Sequence, residues 1–127
     1  MIEHLDQDLK KRVNNAIANI RLIATRVKRV NILDAAQKAE IVVSLLNEFR
    51  QYINAYQVED WRVFYEGSFK HDNETISRVV QATMQADNIY NMLTRERKKS
   101  YTEEYKQVWT VLENIHSYLA TIMAKGG

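Results

Sequence analysis

Cysteine and proline are both absent from this chain of 127 residues, and glycine occurs only three times, twice at the extreme C-terminus. Without cysteine there are no disulfides, no thiolate metal ligands and no cysteine nucleophile. Proline and glycine both destabilise helix interiors, so a chain nearly free of them can form long helices. Long apolar runs are missing as well. A run such as Ile41-Val42-Val43 falls far short of the roughly 20 residues that span a bilayer. The first nine residues have neither a basic stretch nor an apolar core, so no secretory signal is read there. A cytoplasmic, non-membrane protein is the expectation. A large charge excess is also lacking. Lys and Arg number 18 and Asp and Glu 16, a net charge of +2, too balanced to indicate nucleic acid by itself. The length suits one domain over 1–127.

What the chain has is periodicity. Leu9, Val13, Ala16, Ile20, Ile23, Val27 and Val30 step by alternating fours and threes. That is a heptad seam, widened into a face by Ile17 and Ala24. A second seam repeats the rhythm through Ala35, Ala39, Val42, Leu46, Phe49, Ile53 and Tyr56. Asp34 with Gln37 three residues on fits a capping box before it. The short connection makes the two helices antiparallel neighbours.

The third pattern is looser. One stripe runs through Val79, Ala82, Ala86, Ile89 and Leu93, and a second through Ile76, Val80, Thr83 and Tyr90. Asp72 or Asn73 is its expected N-cap. Its polar remainder, Gln81, Gln85, Asn88 and Asn91, offers an uncharged surface. Ser100 with Glu103 is read as a further capping box. The last seam is Tyr101, Tyr105, Val108, Leu112, Ile115, Leu119 and Ile122.

These patterns predict an all-α chain: an antiparallel up-down-up-down four-helix bundle with coiled-coil-like heptad packing, two helical hairpins joined by a longer aromatic link. The helices are expected at about 5–30, 35–58, 73–98 and 101–124. Residues 59–66 hold either a short helix or a continuation of the second one. A seam could instead be satisfied by another copy, as an elongated homodimer.

Few residues carry chemistry. Glu113-Asn-Ile-His116 is a Glu-x-x-His unit of the kind di-iron bundles use twice, but no second unit exists. His116 also falls beside its seam. His4 and His71 lack sequence partners. No phosphate loop, zinc-protease motif or nucleophile elbow occurs. The expectation is no catalytic residue, no metal and no cofactor.

Two features remain. The aromatic link sets Trp61, Phe64, Tyr65 and Phe69 beside Gly67 in an acidic stretch. These rings either plug the open end of a core or anchor a protein partner. At the opposite end the predicted topology collects Arg26, Lys28, Arg29, Arg95, Arg97, Lys98 and Lys99. Such cations either complement helix C-termini or contact nucleic-acid phosphates. The favoured expectation is a non-enzymatic accessory protein that binds a protein partner, or itself, through the aromatic link and an exposed helix face. The alternative is a nucleic-acid-binding factor that uses the basic end.

Overall fold

The computed structural model describes residues 7–28 and 31–125. Among them lie six helices and no strand: α1 (Gln7–Thr25), α2 (Ile32–Gln57), α3 (Trp61–Glu66), α4 (Asn73–Asn91), α5 (Arg95–Ser100) and α6 (Thr102–Ala124). Val30, the last residue of the first seam, and Arg29, His4, Gly126 and Gly127 lie outside the described residues.

The seams are the core. Val13, Ala16, Ile20 and Ile23 of α1 are fully buried, as are Val42, Leu46 and Ile53 of α2 and Val108, Leu112, Ile115 and Leu119 of α6. Each large aliphatic side chain so removed from water contributes about 1.5–3 kcal/mol. On α4 the stripe Val79, Ala82, Ala86 and Ile89 is buried. Val80, from the second stripe, stands exposed beside Met84. The small side chains of Ala82 and Ala86 let neighbouring helices approach closely.

The long helices pack in a closed ring: α1 on α2, α2 on α4, α4 on α6 and α6 on α1. Polar pairs set the register. Lys38 Nζ donates to Gln85 Oε1 at 3.1 Å, and further along α2 Glu48 pairs with Arg78. The partner number falls along α4 as the number rises along α2. Asn19 donates to Gln107 across α1 and α6 at 2.8 Å, and Arg50 reaches Asn14 on α1 at 2.9 Å.

The helix ends depart from expectation in three places. α1 stops at Thr25, although Val27 still lies buried beyond it. α2 begins at Ile32, three residues early, because the Asn31 carbonyl already accepts from Ala35 N–H at 3.0 Å. Asp34 therefore caps nothing. It sits in the first turn, where a carboxylate suits the helix dipole, and lies 3.7 Å from Lys38 Nζ. The expected helix over 73–98 is broken: α4 ends at Asn91, and α5 starts after Thr94. Ser100 is no cap either, since its hydroxyl donates to the Glu96 carbonyl at 3.3 Å. Tyr90 explains how the break is held. Its hydroxyl donates to the Lys98 carbonyl and lies 3.0 Å from Thr102 Oγ1, fastening α4 to the α5–α6 junction.

Candidate functional site

The aromatic link starts from a backbone turn. At the end of α2, Asp60 N–H donates to the Ala55 carbonyl at 2.8 Å and Glu59 N–H to the Tyr56 carbonyl at 3.3 Å. This is a Schellman motif, with Glu59 in the left-handed position at φ 55° that glycine usually takes. It reverses the chain and ends α2 before the link, so α2 does not continue through Tyr65. The Asp60 carboxylate then caps α3, accepting from Arg62 N–H and from the Arg62 guanidinium. Hydrogen bonding to Arg62 holds the Asp60 carboxyl below the usual range.

α3 divides its aromatic residues between two directions. Phe64 is half-buried and turns inward, with its ring edge-on to Tyr52 at 5.1 Å. Trp61 and Tyr65, one turn apart, face out, 62% and 79% exposed. Val58, 73% exposed, stands at the end of α2 just before them. Gly67 closes the helix tightly. A Cβ there would lie 2.3 Å from the Val63 carbonyl oxygen, so no larger residue fits without a shift. Beyond it Phe69 turns inward and is 4% exposed, packed on Phe49 at 5.1 Å and Tyr52 at 5.3 Å. The link ends in a proper N-cap: Asp72 accepts from Thr75 N–H at 2.8 Å, and that bond lowers its pKa. Of the four rings singled out from sequence, one therefore plugs the core, one lies at its edge and two stand in water.

Sequence patterns missed a chain of polar groups in this cluster. The hydroxyls of Tyr52 and Tyr118 meet at 2.5 Å, and Tyr118 lies 3.2 Å from His71 Nε2. Burial raises the pKa of both tyrosines, so both stay protonated. The His71 ring packs edge-on to Tyr52 and Tyr118 at about 5.5 Å. That partial cover lowers its pKa, although one side of the residue remains open to water. Tyr52 and Tyr118 sit one position off their seams, beside Ile53 and Leu119. Only that adjacency to a seam near a helix end hints at them.

At the other end, Arg26, Lys28, Arg95 and Lys99 are exposed, while Arg97 and Lys98 are half-buried. Lys98 Nζ bonds to Asn91 at 3.2 Å and lies 5.8 Å from the centre of the Tyr90 ring. Tyr90 stacks on Tyr105 at 4.2 Å. The Tyr105 hydroxyl donates to Asp87. Burial raises the pKa of Asp87, and the hydrogen bond from Tyr105 works against that rise. Leu22, Ile32 and Leu33 add exposed apolar surface there, Leu33 being 72% exposed.

No known family, curated protein or solved structure matches this chain. Its chemistry must be read from its own residues. Glu113 and His116 both face water on α6. Among the described residues no three His, Asp or Glu side chains come together to hold a metal ion. No helix among them is long and apolar enough to cross a membrane. A groove of about 390 Å³ between α2 and α4 is lined by Glu40, Ile41, Ser44, Leu45, Arg78 and Gln81. The flanking polar face of α4 is partly committed: Gln85 bonds to Lys38 and Asn88, and Asn91 to Lys98. Gln81, Val80 and Met84 remain open on it.

Proposed function

We propose that this chain is a non-enzymatic interaction protein, an antiparallel up-down-up-down four-helix bundle that binds a protein through its α3 end. The ring of contacts among α1, α2, α4 and α6, and the opposed order of the Lys38–Gln85 and Glu48–Arg78 pairs, support the bundle. Residues 58–72 form the longest link, whereas the connection between α4 and α6 covers 92–101 and holds α5.

The observation that carries the function is the orientation of Trp61 and Tyr65. Both stand in water one turn apart, on a helix that Phe64 and Phe69 tie to the core. Large aromatic side chains are the usual anchors of protein interfaces. A platform ordered before binding removes part of the entropic cost of association. The open surface of Val80 and Met84 on α4 is a second, smaller area for contact.

A photo-crosslinking amino acid in place of Tyr65 tests this in the native cell. A discrete protein adduct is expected, and Trp61→Ala should abolish it while circular dichroism shows the variant still folded. Absence of any adduct, or an adduct indifferent to Trp61→Ala, would remove the proposal. Nucleic-acid binding ranks below it, because Tyr90 and Tyr105 stack on each other beside the cations. The faces that the two rings turn to each other are closed to bases.

A further inference from the structure

We infer that the row Tyr52–Tyr118–His71 is an acid-sensitive latch: protonation of His71 parts its ring from Tyr118 and loosens the segment that holds α3. The latch regulates the binding surface proposed above and in that sense rests on it. As a property of the free chain, however, it stands or falls without a partner.

The row has room for two protons. The Tyr52 and Tyr118 hydroxyl oxygens lie 2.5 Å apart, and Tyr118 lies 3.2 Å from His71 Nε2. Each of these two gaps takes one proton. Neutral His71 with its proton on Nδ1 offers Nε2 as an acceptor. Tyr118 then donates to His71, Tyr52 donates to Tyr118, and two hydroxyl protons fill two gaps. Protonated His71 brings a third proton to the same row, because both ring nitrogens are then donors. One hydroxyl proton is left over. Neither tyrosine oxygen has another hydrogen-bond partner among the described residues.

Tyr52 cannot give way. It is 5% exposed, with its ring set among Phe49, Phe64 and Phe69, and a buried hydroxyl without a partner is costly. His71 can give way, since one side of it meets water. When the charged ring turns out to solvent, Tyr52 still donates to Tyr118 and the buried part of the row stays satisfied. Partial burial of the ring acts in the same direction. The Asp72 carboxylate opposes it by favouring the charged ring, and Lys70 acts in turn on that carboxylate. Tyr56, also on α2, acts on the two hydroxyls.

The place of His71 in the fold carries the effect to α3. The ring packs edge-on to Phe69 as well as to Tyr52 and Tyr118. Its departure removes one wall from Phe69 and Tyr52. Phe64 of α3 leans on that same Tyr52 ring. The latch is therefore closed above about pH 6.5, the ordinary histidine value. It opens as pH falls from there through the lower value of the folded chain.

Nuclear magnetic resonance of the imidazole nitrogens in the folded wild type tests the proton count. Neutral His71 should carry its proton on Nδ1. The amides of Val63 and Gly67, bonded to the Asp60 and Val63 carbonyls, should lose protection a few-fold as His71 titrates, after correction for intrinsic exchange. Tyr118→Phe keeps the ring cover but removes the middle of the row, so the His71 titration should rise toward its ordinary value. Tyr52→Phe leaves two protons for one gap, and the titration should stay near that of the wild type. Three results would overturn the inference: a neutral ring protonated on Nε2, α3 amides indifferent to the titration, or a titration unmoved by Tyr118→Phe, which would leave burial as its cause. If Tyr118→Phe does not fold, the first two measurements decide on the wild type alone. A latch that behaves as expected, beside a Tyr65 crosslink that yields no adduct, would remove the binding role of α3 and keep the latch.

Discussion

The two ends of this helical body face the same problem with different side chains. Each must close a core that would otherwise open to water. At the α3 end closure is apolar: Phe69 drops onto Phe49 and Tyr52, and Phe64 covers the edge. At the α5 end it is polar: Tyr90 stitches α4 to the α5–α6 junction, and Tyr105 satisfies Asp87. Burying rings gains by area, whereas polar closure gains little per bond but costs much when one bond is cut. An apolar plug also needs only part of its link. The remainder of α3 is left to face outward.

The comparison can be broken most sharply at Phe69. Phe69→Ala should destabilise the protein by about 3–4 kcal/mol in urea unfolding, as for large-to-small changes in cores. An effect below that of any polar change at the α5 end would reverse the contrast. Next is Tyr105→Phe, which keeps the ring stack and leaves Asp87 without its donor. A loss of about 1–3 kcal/mol is expected, with the Asp87 pKa moving further up by carboxyl NMR titration.

A smaller effect, of opposite sign, belongs to the turn before α3. Glu59 holds a left-handed conformation that costs a side-chain-bearing residue roughly 1 kcal/mol. Glu59→Gly relieves it but loosens the unfolded chain. The net gain should stay under about 1 kcal/mol, read as a small rise in melting temperature.

The smallest effect is the pH response of His71. Its folded pKa lies below the usual value, so the unfolded chain takes up a proton that the folded one resists. Stability from this group is complete above about pH 6.5 and declines as pH falls from there through the depressed folded value. Asp60 and Asp72, also lowered, act in the same sense at more acid pH. His71→Gln should flatten the decline between about pH 7 and 5. Amide exchange near Phe69 and Tyr118 should track it, and that around Tyr90 should not.

Much of the architecture was legible because heptad spacing reports directly on burial. The seams through Ile20, Leu46 and Leu112 are the core, and Asp72 caps α4 as its position suggested. Asp34 and Ser100 have the residue types of a capping box, but the backbone bond from Ala35 N–H to Asn31 starts α2 earlier, and the Ser100 hydroxyl turns back to Glu96. No local pattern betrays that Asn31 accepts the first bond of α2, or that Tyr90 pins a break after Asn91. The Tyr52–Tyr118–His71 chain was equally hidden, because it joins three segments through register alone. The aromatic link was visible as a cluster. Its division into inward and outward rings depends on the turn at Glu59, which carries no glycine to announce it.

That turn separates two kinds of inheritance. Backbone hydrogen bonds to Ala55 and Tyr56 aim α3, and Phe69 holds it in place. Trp61 rests partly on the Phe64 ring at 5.1 Å, but Val58 and Tyr65 contribute little to either task. Mutation can rewrite those last two positions, and with them much of the surface this end presents, while the fold beneath goes unaltered. A lineage carrying this scaffold could change partners without first having to regain stability.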